Sequence, residues 1–320
     1  MVTKGNDPLL RTLDLPVFNN IEEFSSLIHI DGAIIKKISY KPYKSYKKHH
    51  IQKPSGGIRQ ILEPTKDLKA IQAWILRNIL DKLKPSIYAT AYLKGKNISY
   101  NVMPHSNNRY FICLDIQDFF PSISSNRIKK LFMLIGYSNN AANLLTKLCS
   151  LKYYGLPQGA VTSPAISNLI AFKMDRRIAG YTSKRNIIFT RYSDDIVISS
   201  NNPAHLFQAL PRIKNIINTE HFKLNDNKFR VLGPKIKCSI TGLIKNSSKP
   251  EFGIGRKKKH YMRNIMNRHV KNLPNDSEYK STASIEGWLK YLKSVDINSY
   301  GQMKKYWDKL NNPFYRQTPI

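Results

Sequence analysis

A chain of 320 residues is long enough for about two or three packed subdomains, and a hydrophobic share of 41% excludes wholesale disorder. Lys and Arg number 52 against 21 Asp and Glu, and the resulting +31 points to a polyanionic partner, nucleic acid first. A membrane surface is the rival polyanion, but the lack of any apolar run of about 18 residues and of a lipidation signature argues against membrane insertion.

Met1 to Leu15 lacks the apolar stretch and cleavage site of a secretory signal. Cys113, Cys149 and Cys238 are widely spaced with no CxxC pair, which predicts reduced core thiols in a cytoplasmic protein, with neither zinc nor disulfides. Residues 1–35 are assigned to an N-terminal helical extension. From Asp31 to Glu63 no acid intervenes, while Lys36, Lys37, Lys41, Lys44, Lys47, Lys48, Lys53 and Arg59 gather among Tyr40, Tyr43, Tyr46, His49 and His50. Such a mixture neutralises phosphates and stacks on bases, although a solvated basic face with half-buried tyrosines accounts for it equally well. Gly56-Gly57 then marks a hairpin turn between extended arms.

Leu68, Ile71, Ile75, Leu76, Ile79 and Leu83 follow helical spacing between Pro64 and Pro85 and predict one amphipathic helix. The run Tyr110 to Leu114 predicts a buried strand that ends in Asp115. Leu156-Pro157-Gln158-Gly159 leads into a helical stretch through Ile170, a turn that carries little by itself. Ile187-Ile188-Phe189 and Ile196-Val197-Ile198 flank Tyr192-Ser193-Asp194-Asp195 and predict a hairpin with its acids at the tip. A boundary is expected in the polar stretch 245–249. Beyond it, Lys257, Lys258, Lys259, Arg263, Arg268 and Lys271 share a basic amphipathic helix with Tyr261, Met262, Ile265 and Met266, backed by a helix over 285–295.

Asp115, Asp194 and Asp195 suit a pair of Mg²⁺ ions, which prefer oxygen ligands and keep positions for water and phosphate. Two such ions about 3.5–4 Å apart activate an attacking hydroxyl and stabilise a leaving pyrophosphate. An Asp-Asp pair between strands is, taken alone, far more often an ordinary polar turn.

In order along the chain, Gly-Gly-Ile-Arg (56–59), Leu-Asp-Ile-Gln-Asp-Phe-Phe-Pro-Ser (114–122), Leu-Pro-Gln-Gly (156–159), Ser-Pro (163–164) and Tyr-Ser-Asp-Asp (192–195) resemble the reverse transcriptase motif series. Asn101-Val102-Met103-Pro104-His105 and Ile240-Thr241-Gly242 are further similar to the Asn-Ala-x-x-His and Val-Thr-Gly elements of bacterial retron reverse transcriptases, each with one conservative substitution.

The resemblance implies an α+β fold of right-hand polymerase architecture: fingers and palm over 36–245, with an antiparallel palm sheet and helices, and a small, mainly helical thumb for RNA recognition over 246–320. It implies direct metal ligation by Asp115 and Asp194, with Asp195 further out and the Ile116 carbonyl an extra oxygen. Lys53 and Arg59 would clamp the incoming dNTP, Arg with a planar fork for phosphate oxygens. Gln158 would steady the nucleotide, Phe120 would exclude a ribose 2′-hydroxyl, and Lys228 would protonate departing pyrophosphate. One of Phe119 and Phe120 is expected in the core. Lys257, Lys258, Lys259, Tyr261, Arg263 and Arg268 would bind RNA. His105, after Pro in a polar loop, is expected to be a backbone-bonded structural residue.

The expected partners by resemblance are a cognate structured non-coding RNA and its cDNA, an accessory effector in phage defence, and a host ribonuclease H. Synthesis would start from an RNA 2′-hydroxyl and leave a branched product. A group II intron-like enzyme would need more than the 75 residues after 245. An RNA polymerase would want Gly at 193 and a smaller gate. A non-catalytic RNA-binding protein gives no reason for Asp115, Asp194, Gln158 and Arg59 to coexist.

Overall fold

The computed structural model describes residues 5–52, 56–246, 251–274, 278–279 and 281–312. Three short helices open it, α1 (Asp7–Thr12), α2 (Ile21–Ile28) and α3 (Gly32–Tyr40), and the side chains of Asn6, Asn20 and Asp31 cap their first N–H groups. Leu10, Phe18, Phe24, Ile35 and Ile38 enter the same core as the elements that follow. The division at 35/36 therefore falls within α3, and the extension is packed onto the main body.

β1 (Tyr46–Gln52) and β2 (Ile58–Pro64) form the expected hairpin, with Gln52 opposite Ile58 and Gly56 and Gly57 at φ +84° and +83° in its turn. α4 (Lys66–Asn78) is shorter than its apolar spacing predicts. The chain leaves the helix at Ile79 and continues as a 3₁₀ turn over Leu80–Lys82, yet Ile79 and Leu80 remain buried. Periodicity reported burial here, and burial outlasts the helical hydrogen bonds.

After α5 (Ser99–Val102) come β3 (Tyr110–Asp115), α6 (Ser125–Ile135), α7 (Asn139–Cys149), α8 (Ser163–Ile170) and α9 (Phe172–Ser183). β4 (Ile188–Tyr192) and β5 (Asp195–Ser200) are the predicted acidic hairpin, followed by α10 (Pro203–Thr219) and β6 (Arg230–Leu232). The central sheet is antiparallel in the order β4-β5-β3-β6. Its side chains alternate faces. Ile112, Leu114, Ile196 and Ile198 join the main helical core, whereas Phe111, Cys113, Val197 and Leu232 face a second cluster with Cys238, Ile240, Leu243 and Val295. All three cysteines are free and buried.

β7 (Ser239–Ile240), β8 (Leu243–Lys245) and β9 (Phe252–Gly253) make a small sheet in which Lys245 pairs with Phe252. The expected boundary after Lys245 thus divides a sheet, and residues 247–250 lie outside those described. α11 (Arg256–Val270), α12 (Thr282–Val295) and α13 (Ile297–Asn311) complete the chain around Met262, Met266, Trp288, Leu292, Met303 and Trp307. Among the described residues, no helix is long and apolar enough to cross a membrane.

The Pro-Gln-Gly turn acquires a physical reason in this frame. Leu62 N–H of β2 donates to the Gln158 carbonyl at 2.7 Å, and a Cβ on Gly159, which has φ +117°, would lie 2.8 Å from the Leu62 carbonyl oxygen. Only glycine lets the two backbones meet there. Gly159→Ala is therefore expected to lower stability by about 1–3 kcal/mol. Gly180→Ala, in the open interior of α9, should be neutral or stabilising. Paired thermal melts measure both.

Candidate active site

Asp115 closes β3 directly opposite Asp195, the first residue of β5, and Ile116 N–H donates to the Asp194 carbonyl at 2.9 Å. The strand-end acid and the hairpin-tip acids therefore come together at one end of the sheet. Ser193 turns the chain at φ +60°. Asp194 titrates above the usual carboxylate range, chiefly through burial and further through Asp115. Asp195 is pushed up to about 6 by burial, then by Asp194 and Asp115. Buried carboxylates with raised pKa values, this close together, mark a candidate site for a cation.

Lys228 and Arg230 are cations near these acids, and Lys228 makes the direct contact. Its ammonium donates to Asp115 Oδ1 at 2.7 Å, and that bond is the main reason its pKa is raised. Among the described residues, no group of three or more His, Cys, Asp or Glu side chains is placed to hold a metal ion, and Asp115 is paired with Lys228. In charge and donor type, an all-oxygen set of carboxylates fits a hard divalent cation.

Arg191 holds this turn from beneath, a residue to which the sequence reading assigned no role. It is fully buried, donates through Nε and Nη2 to Asp175 of α9 at 2.7 and 2.8 Å, and through Nη1 to the Ser193 carbonyl at 3.0 Å and Asn168 Oδ1 at 3.2 Å. One signal was available: β4 alternation sets Arg191 on the face of Phe189, and a charge on a buried face needs a partner.

Phe119 and Phe120 separate cleanly. Phe119 is in the core, its ring 5.6 Å from Phe222, whereas Phe120 is only partly buried and stands 6.2 Å from the Tyr92 ring. Gln158 is half-buried, Arg59 is exposed on β2, and Lys53 lies outside the described residues. His105 corrects the expectation of a backbone bond. It is buried, with Nδ1 sharing a 2.6 Å hydrogen bond with Ser199 Oγ and Nε2 one of 2.8 Å with Thr190 Oγ1, and burial lowers its pKa to about 3. Thr190 donates its one proton to Asn101 Oδ1 at 2.8 Å, so His105 donates from Nε2 and Nδ1 accepts. Asn101 in turn donates to Thr241 Oγ1 at 3.4 Å. The two elements by which the chain resembles retron enzymes, 101–105 and 240–242, are thus in contact.

Along α11 the basic residues diverge. Lys257 and Tyr261 are exposed, and Lys258 lies between the Tyr261 and Tyr279 rings. Arg263 stacks over Tyr306, Lys259 donates to Ser299 Oγ at 3.2 Å, and Arg268 donates to the Pro274 carbonyl. Arg268 thus serves the end of its own helix. The start of α11 opens on a cavity of about 1130 Å³ that takes in Lys237, Lys245, Arg256, Lys257, Lys258 and Lys259. A cavity of about 490 Å³ behind β4, which includes Tyr88, Tyr100, Ile188 and Phe189, has no carboxylate or cation in its wall and is unsuited to phosphoryl transfer.

A family model described as reverse transcriptase (RNA-dependent DNA polymerase) matches residues 51–250. The retron Ec86 reverse transcriptase of Escherichia coli is 34% identical over 313 residues, covering 97% of this chain and 95% of that one. The chain belongs to the retron reverse transcriptases. It is therefore an RNA-directed DNA polymerase of a retron, and the family works with divalent metal ions. The retron Mx65 reverse transcriptase of Myxococcus xanthus is 26% identical over 88% of this chain and 70% of that one. A foamy viral protease-reverse transcriptase in complex with double-stranded DNA shares the fold, with a TM-score of 0.50 at 14% identity over 85% of this chain and 42% of that one.

Removing one partner of the buried pair strands the other. Asp175→Asn is expected to cost about 3–5 kcal/mol in chemical denaturation. The double variant Asp175→Leu/Arg191→Met should recover stability but not polymerisation, because the Ser193 carbonyl loses its donor.

Proposed function

We propose that this retron enzyme copies part of a cognate structured non-coding RNA into single-stranded DNA, starting from an internal 2′-hydroxyl and leaving branched RNA–DNA, in phage defence alongside an accessory effector. The observation that carries the chemistry is the meeting of Asp115, Asp194 and Asp195 at the sheet end beside Lys228 and the partly exposed Phe120. Asp115 and Asp194 would hold two Mg²⁺, with Asp195 further out and the Ile116 carbonyl an added oxygen. Such ions, once bound, supply activation of the attacking hydroxyl and neutralisation of the leaving pyrophosphate.

The chain's own residues do the rest. Lys53, together with Arg59 on β2, clamps the triphosphate, and Gln158, whose carbonyl is fastened to β2, steadies the nucleotide between fingers and palm. Phe120 meets the sugar where a ribose hydroxyl would project. Lys228, kept protonated by Asp115, carries a proton within reach of departing pyrophosphate. Residues 36–245 perform chemistry, and 246–320 choose the RNA through the basic cavity and the Lys257, Lys258 and Tyr261 face of α11. Phosphate contacts alone bind without selectivity, so shape and stacking on unpaired bases supply it. A host ribonuclease H removes the copied RNA in the bacterial cytoplasm.

Asp194→Asn should abolish magnesium-dependent dNTP incorporation on a primed RNA while RNA affinity stays near wild type. Extension above a few per cent of wild type would show that the metal site lies elsewhere. Phe120→Ala should lower the ratio of kcat/KM for dNTP over rNTP, which reads differential transition-state binding. An unchanged ratio in an active enzyme would move the gate away from Phe120.

A further inference from the structure

Tyr92 belongs to none of the motifs that carry the polymerase reading, yet it bridges Phe120 and the turn that leads to Asp194. Its ring lies 6.2 Å from that of Phe120, and its hydroxyl shares a 2.8 Å hydrogen bond with Ser193 Oγ, 101 residues away and directly before Asp194. Both residues adopt left-handed backbone, Tyr92 at φ +62° and Ser193 at φ +60°. A bulky side chain enters that region only where the surroundings impose it, and such positions cluster at functional sites.

The imposing surroundings are the Arg191 hub. Thr90 N–H donates to the Arg191 carbonyl at 2.8 Å, Asn168 Nδ2 donates to the Ala91 carbonyl at 2.9 Å, and Arg191 itself holds the Ser193 carbonyl at 3.0 Å. The two segments are thus bound to the same buried group, and the Tyr92–Ser193 bond closes the loop on the cleft side. Ala91 and Ser193 are buried while Tyr92 remains 48% exposed, so the constrained segment leaves a phenol ring open to solvent beside Phe120.

We propose that Tyr92 is a positioning and specificity-determining residue for nucleotide addition: its hydroxyl locks Ser193, and with it the Asp194 turn, while its ring abuts the terminal primer–template base pair. The proposal rests on the assignment of Asp115, Asp194 and Phe120 to the polymerase site. With Phe120 against the sugar of the incoming nucleotide, the Tyr92 ring 6.2 Å away is within reach of the neighbouring base pair, which is the primer end. A correctly paired terminus seats on that ring, and a mismatched one displaces it and, through the shared hydrogen bond, the acid turn.

The test is single-nucleotide incorporation at saturating Mg²⁺ on annealed RNA template and DNA primer with matched or mismatched ends. Tyr92→Phe and Ser193→Ala should each lower kcat by about tenfold, as loss of one hydrogen bond that counts in the transition state, with dNTP KM unchanged. The double variant should be no slower than the slower single, since both remove one bond. Tyr92→Ala should in addition reduce the matched-over-mismatched ratio, because the ring is gone. Wild-type kcat and discrimination in Tyr92→Phe and Tyr92→Ala, additive losses in the double, or a kcat loss that disappears on cooling and follows a lowered Tm would each overturn it. Failure of the underlying site assignment is distinguishable, because Asp194→Asn would then still extend the matched primer.

Discussion

The ion pair of Arg191 with Asp175 is the constraint through which palm, fingers-side loop and the acid turn are referred to one another. A guanidinium has five donors in a fixed plane, and here they reach a carboxylate, an amide oxygen and the Ser193 carbonyl at once. Taking both charges out of water is costly, and a pair of apolar side chains would be at least as stable. What the pair adds is direction. It ties α9 and α8 to the strand that ends at the acids, and the backbone of Arg191 itself holds Tyr88 and Thr90.

A second tension lies at the acids themselves. Burial first, and then the neighbouring carboxylates, raise the pKa of Asp194 and Asp195 at the sheet end, a tension that a cation relieves. Lys228 answers in part, from a short segment that returns beside β3, where Asn225 N–H donates to the Asp115 carbonyl at 2.8 Å. The position of that countercharge is fixed by backbone as well as by charge.

The face of the sheet opposite the main core explains how the thumb is joined to the palm. Phe111, Cys113 and Val197 pack on Ile240, Leu243 and Val295, so residues from β7, β8 and α12 continue the palm's own core. Asn101 and Thr241 add a polar link across the same junction, and Asp296 both caps α13 and accepts from Ile254 N–H at 2.9 Å. Around the separate thumb cluster of Met262, Trp288 and Trp307, tyrosines lie beneath Lys258 and Arg263, which organises part of the basic surface before any RNA arrives.

Local signals in the sequence were enough for the finger hairpin, β3 with its terminal acid, the β4–β5 hairpin and the basic helix α11. Alternation, glycine turns and helical spacing act over a few residues, so a single chain displays them. The same locality misled where an apolar period outran the helix at Ile79 and where a polar stretch near Lys245 concealed a paired sheet edge. It also could not tell that Phe119 is core and Phe120 is not, because adjacent residues differ only in what the fold brings against each. The amino-acid sequence by itself determined which residues have the chemistry for a polymerase and in what order they come. Only the tertiary structure decided that Arg191 meets Asp175, that His105 serves a side-chain network, that Arg268 serves its helix end and that Tyr92 reaches Ser193. Those pairings join segments far apart in the chain, and their geometry depends on strand register and helix packing that no local pattern encodes.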